Sequence, residues 1–220
     1  MSDVFSLTEE LSALEHDVQW RRDEISYLRK QESLTRFDPP GSTGNYRNNI
    51  YLRLLIPTLY AHHEGYAIRC WDSVYEGIDA SGVAPKLLTK ELQCLVAQDL
   101  LKQIRNFPAI ILLDYCNGEK AVLPDIYSFS QQRPVRSDGN LKPGPYCQAF
   151  RDLGIEIRLD SEERSLLSQL VDLRNDVVHG RALSRRVTEK FDDFTALVYE
   201  LQDRSFLATR EFLMDAKYLA

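Results

Sequence analysis

Leu7, Leu11, Leu14, Val18, Ile25 and Leu28 recur at steps of three, four and seven residues. That spacing lines one stripe of an α-helix, so it predicts a long amphipathic helix over residues 6–33. Ser6 and Glu9 have the spacing of a capping box at its start. The period returns along the chain. After a loop at 36–45, where Pro39, Pro40 and two glycines stop any helix, a second helix is predicted over 46–78, ending near Gly77 or at Ser81-Gly82. Pro57 lies inside it and should kink or break it. A third helix is predicted over 86–105. Asp160 or Ser161 then reads as the N-cap of a helix running to about Gly180, with Glu162 and Glu163 in the first turn where the helix dipole favours carboxylates. A last helix, about 184–217, carries Phe191, Phe194, Val198 and Leu201. The apolar run 107–113 suits either a short strand or a buried helical turn. The fold class is therefore all-α: an up-and-down bundle of four to six helices forming one domain over 1–220.

Residues 117–160 break this pattern. They hold four of the nine prolines and four of the ten glycines, and little periodicity. Within 131–151, Arg133, Arg136, Lys142 and Arg151 face only Asp138. We read the stretch as an irregular insertion with few apolar anchors, exposed and locally basic. A loop of this length inside a domain is usually functional or mobile rather than merely connecting.

Composition excludes several classes. The 220 residues carry 27 Lys+Arg against 33 Asp+Glu, a formal charge of −6, which argues against a protein that coats nucleic acid through bulk charge. A local basic site stays open. No apolar stretch approaches a membrane span, and the acidic, polar amino-terminal segment reads as no secretory signal, so a cytoplasmic protein is expected. Cys70, Cys94, Cys116 and Cys147 lie far apart with no CxxC and no histidine at ligand spacing, so neither a zinc site nor a disulfide framework is expected. Phosphate-loop and nucleophile-elbow motifs are missing as well.

The segment richest in chemistry is the end of the fourth predicted helix. Leu166, Leu170, Leu173 and Val177 fall in one arc, and Arg174 projects into it. Asn175 and His179, four apart, stack on its border, with Asp172 and Asp176 toward solvent. An arginine on an apolar face is costly unless its guanidinium finds a partner.

Arg174 and Asn175, with His179 and Gly180 one turn on, resemble the R-x4-6-H motif of the HEPN superfamily. Trp20-Arg21-Arg22-Asp23-Glu24-Ile25 and Leu59-Tyr60-Ala61-His62-His63-Glu64-Gly65-Tyr66 resemble its small bacterial MAE-type branch, whose pattern reads LYAHWEGF. Here His63 stands in the place of the Trp and Tyr66 in that of the Phe. The resemblance covers about 5–78 and 160–215, outside the insertion. It implies a metal-independent endoribonuclease, without cofactor, in which two subunits bring their Arg–His helices together around RNA. Arg174 would clamp the phosphate, His179 would act as general base or acid, and Asn175 would orient phosphate or imidazole. An imidazole can take the proton of a 2′-OH while a guanidinium stabilises the phosphorane, leaving a 2′,3′-cyclic phosphate and a 5′-OH. A role as toxin or phage-defence effector follows by likeness, with an antitoxin or defence-system protein as partner. The alternative is a non-catalytic dimerisation or RNA/nucleotide-binding module.

Around this core stand supporting candidates. His62 and Glu64 are placed by likeness beside the motif helix, where either could hold Arg174 or His179, and Asp176 flanks the pair. His62-His63-Glu64 lacks the i, i+4 histidine pair of a metal site, so no metal is expected. Arg181, Arg185 and Arg186 follow the motif, and Arg133, Arg136 and Lys142 lie in the insertion; all six are candidates for RNA phosphate contacts.

Overall fold

The computed structural model describes the backbone of residues 6–35, 43–104, 108–120, 123–181 and 185–220, and their side chains except at 35, 43–49, 104 and 185–189. Among the described residues there are eight α-helices and no strand: α1 (Leu7–Thr35), α2 (Thr43–Ser81), α3 (Lys90–Ile104), α4 (Ala109–Cys116), α5 (Phe129–Gln132), α6 (Pro143–Asp152), α7 (Ser161–Val178) and α8 (Arg185–Met214), with a 3-10 turn at Pro85–Leu87. The count exceeds the predicted four to six because the insertion contributes α5 and α6, and residues 109–113 of the apolar run lie in α4, a helix with no buried residue.

Helix α2 is the axis of the molecule. At 39 residues it is about 58 Å long, and α1, α8, α7 and α5 all pack on it. Its core-facing residues, among them Leu55, Ile56, Leu59, Tyr66, Trp71 and Val74, are buried. It continues through Pro57 without a break, against expectation. The proline deprives only the Arg53 carbonyl of a donor, and next to it the Thr58 hydroxyl donates to the Leu54 carbonyl at 2.8 Å. Helix α1 is tied down by two adjacent arginines. Arg22 donates to the Tyr199 carbonyl at 2.8 Å and pairs with Asp203 at 2.7 Å on α8, while Arg21, held within α1 by Asp17 at 2.7 Å, reaches His62 of α2 at 3.4 Å. A Cβ on Gly65 would stand 2.9 Å from Arg21 Nη1, so the glycine makes room for that guanidinium.

The reading of 117–160 as irregular and poorly anchored is corrected. Phe129, Val135, Leu141, Tyr146, Phe150 and Leu153 are buried. Beyond α6 the chain runs extended through Ile155, Ile157 and Leu159, which point inward, while Glu156 and Arg158 point out. The anchors were spread over two short helices and an extended stretch, so no single period revealed them. Of the four free cysteines, Cys70 and Cys147 are buried and Cys94 and Cys116 exposed. No helix is long and apolar enough to cross a membrane among the described residues.

Candidate functional site

Helix α7 begins with a complete capping box. Asp160 accepts the N–H groups of Glu162 and Glu163 at 2.9 Å, and Glu163 accepts that of Asp160 at 2.9 Å. The helix ends at Val178, two residues short of the predicted end, with His179 as C-cap. The Gly180 N–H donates to the Val177 carbonyl at 3.0 Å and the Arg181 N–H to the Asp176 carbonyl at 2.8 Å, the two bonds of a Schellman turn. Gly180 has φ +75°, a conformation that only glycine adopts without strain. His179 is exposed and stands on this turn. From the outside, Arg53 of α2 donates through Nη1 to the Arg181 carbonyl at 2.6 Å and through Nη2 to the Val177 carbonyl at 3.3 Å. Sequence reasoning missed Arg53: nothing local marks a contact across more than a hundred residues.

Arg174 is half-buried. Its guanidinium lies over the Tyr60 ring, 4.8 Å from the centroid, and Nη1 donates to Asn175 Oδ1 at 2.8 Å. So it does not insert among leucines; an aromatic face receives it, by a cation–π contact. Among the described residues no carboxylate lies within ion-pair distance of it, whereas Arg21, Arg22, Arg29, Arg69 and Arg204 are all paired. Asn175 in turn donates through Nδ2 to Asn140 Oδ1 at 3.2 Å.

Asn140 belongs to the insertion, which lies across the motif helix. The Leu141 N–H donates to the Tyr60 hydroxyl at 2.7 Å, Lys142 pairs with Asp172 at 3.1 Å, and the Ser137 hydroxyl donates to the Glu64 carboxylate. Burial pushes the Tyr60 phenol up to about 12, the Leu141 N–H working against the rise and the Glu64 carboxylate adding to it. The result is a cation with spare donors, floored by a neutral phenol and walled by two amides. Chemically, such an arrangement can receive an oxyanion.

The remaining candidates separate. Glu64 reaches the site through Ser137. His62 does not: its ring lies against α1, with Nε2 2.7 Å from Glu24 and Nδ1 3.4 Å from Arg21, and Trp20 packs edge-on at 5.2 Å. Two positions along a helix turn by about 200°, so His62 and Glu64 face opposite ways. His63 is buried near the Tyr146 ring, and burial pulls its imidazole down to about 4. Asp176 pairs with Arg181 at 2.8 Å, not with Arg174. Arg133 lies 3.5 Å from Asp72, and Arg136 binds the carbonyls of Gln132 and Arg133. Asp72 is twelve residues beyond Tyr60 on α2, roughly 18 Å along the axis, and Arg136 is folded back onto its own turn, so of the three candidate cations of the insertion only Lys142 pairs with a residue of the motif helix. The side chains of Arg185 and Arg186 lie outside the described residues. Among the described residues no set of three His, Cys, Asp or Glu is placed to hold a metal ion.

A family model described as MAE_28990-like HEPN matches residues 10–208, running through the insertion that the sequence reading had left outside the resemblance. No curated protein and no solved structure matches the chain.

Proposed function

The chain belongs to the MAE-type branch of the HEPN families, whose domains are generally ribonucleases, and from that premise we propose that it is a metal-independent endoribonuclease acting as a toxin or defence effector. The observation that carries this reading is the Arg174 guanidinium, held on Tyr60 and by Asn175 with no carboxylate partner among the described residues, one turn from an exposed His179. Arg174 receives the scissile phosphate. His179 takes the proton from the 2′-OH, the 2′-oxygen attacks phosphorus, and the 5′-oxygen leaves with a proton from a second acid. One chain offers one such histidine; a two-fold partner offers the other. Ile50, Leu54 and Val178, which are 40%, 53% and 63% exposed, lie on α2 and α7 near the Arg53 clasp and supply an apolar rim for that partner.

The test is purified protein with single-stranded RNA in EDTA, with the product ends identified. Cleavage leaving 2′,3′-cyclic phosphates is expected, with His179→Ala losing about 10²–10⁴-fold while folding normally. Activity that vanishes in EDTA, or survives the substitution, refutes the assignment. RNA binding without cleavage selects the non-catalytic module instead.

A further inference from the structure

The turn carrying His179 is held by a residue of another helix, and we infer that Arg53 is a positioning residue for His179. Its two donors end on the Val177 and Arg181 carbonyls, at 3.3 and 2.6 Å. Those acceptors bracket Val178, His179 and Gly180, so the guanidinium fork spans the turn that fixes where the imidazole stands.

Helix α7 does not need Arg53 in order to form. It has its own capping box at one end and its own Schellman bonds at the other, and Leu167, Leu170 and Val171 bury it against the bundle. The His179 ring, by contrast, has no hydrogen-bond or ion-pair partner among the described residues, so its position is set by the backbone of the turn alone. A Schellman turn left at a helix end frays on its exposed side. A planar two-pronged donor anchored in the long central helix stops that, and it brings positive charge to the negative end of the α7 dipole. A lysine, whose three donors radiate from a single nitrogen, cannot hold both carbonyls in the same geometry.

The inference rests on the proposed ribonuclease reading, because it acts through His179, but it has a readout of its own. In Arg53→Met, the Gly180 and Arg181 amides, whose bonds close the turn, should exchange with solvent about tenfold faster, while the amide of the buried Val198 on α8 is unchanged. Under the same conditions kcat on RNA should fall about 10–100-fold with KM changed less than about twofold, since misplacing a catalytic group acts on the chemical step. Arg53→Lys should recover part of both losses.

Unchanged exchange at the two amides overturns the inference, whatever happens to activity. So does exchange that quickens equally throughout the chain, which marks a general stability effect, or a KM that rises with kcat intact, which marks a direct RNA contact. A wild-type protein that cleaves no RNA defeats the ribonuclease reading, and the exchange measurement still decides whether Arg53 holds the turn.

Discussion

Two aromatic residues in one stretch of α2 do opposite things with charge. Tyr60 receives the Arg174 cation on its face while its hydroxyl accepts the buried Leu141 N–H. Tyr60→Phe should keep the stack and orphan that N–H, at a cost of about 1–3 kcal/mol in urea unfolding; unchanged stability would mean that Leu141 finds another acceptor. His63 is buried with Nε2 unbonded, and its imidazole is held down to about 4, against about 6.5 in the unfolded chain. The unfolded state therefore takes up the proton first. The His63 contribution to stability is full above pH about 6.5, declines as pH falls, and is smaller by about 3 kcal/mol at pH 4. His62 is also lowered by burial and slopes the same way, so the discriminating measurement is the difference between wild type and His63→Leu, which should be flat across that window only if His63 is not the cause. At this scale the sequence marked Arg174, Asn175 and His179, because the motif is contiguous on one helix. Arg53, Tyr60's role and Asn140 were illegible, since each acts through a tertiary contact with no local signature.

The long helices are legible in their period: α1, α7 and α8 each carry a recurring apolar stripe, interrupted by Arg21 and Arg22, by Arg174, and by the buried polar Gln202, Ser205 and Thr209, and the Asp160–Glu163 capping box is visible as spacing. The insertion was not, because its order is borrowed from α2. Helix α5 has four residues, too few to stand by itself. It is held by Asp79, whose carboxylate accepts the N–H groups of Phe129 and Ser130 at 2.8 and 3.0 Å and the hydroxyls of Ser128 and Ser130 at 2.9 and 2.6 Å. Phe129 then stacks on Tyr75 at 6.3 Å, and the Tyr75 hydroxyl accepts the Val135 N–H at 3.1 Å. This carries the chain to Ser137 and Asn140 over the motif helix. Asp79→Ala should cost about 2–3 kcal/mol and speed proteolysis within 123–141 before the rest of the chain is cut. Stability within about 0.5 kcal/mol of wild type would show that the apolar anchors alone hold the insertion.

In the proposed ribonuclease a net charge of −6 leaves RNA binding to a few local cations, of which Lys142 pairs with Asp172 beside the motif, Arg133 lies far along α2 by Asp72, and Arg136 is folded back onto the carbonyls of Gln132 and Arg133. Lys142→Gln should therefore weaken RNA binding and lower its salt slope more than the double replacement of Arg133 and Arg136 by Gln; the reverse order would place the RNA path along the insertion. The proposed pairing of chains follows from chemistry rather than from charge. The proposed cleavage needs a base for the 2′-oxygen and an acid for the 5′-oxygen, and a two-fold axis beside α7 would supply both from the same residue. It also brings two Arg174 guanidiniums toward each other, each without a carboxylate partner among the described residues. Without an anion they repel, so phosphate or RNA should tighten the dimer by mass action. Sedimentation at increasing phosphate concentration should show a falling dissociation constant in the wild type and none of that dependence in Arg174→Ala. Mixing Arg174→Ala with His179→Ala chains then probes the shared site: each mixed dimer retains one guanidinium and one imidazole, half of each set, and should stay nearly inactive. A monomer that cleaves RNA at full rate would show that one chain carries both proton transfers, and the composite site would have to be abandoned.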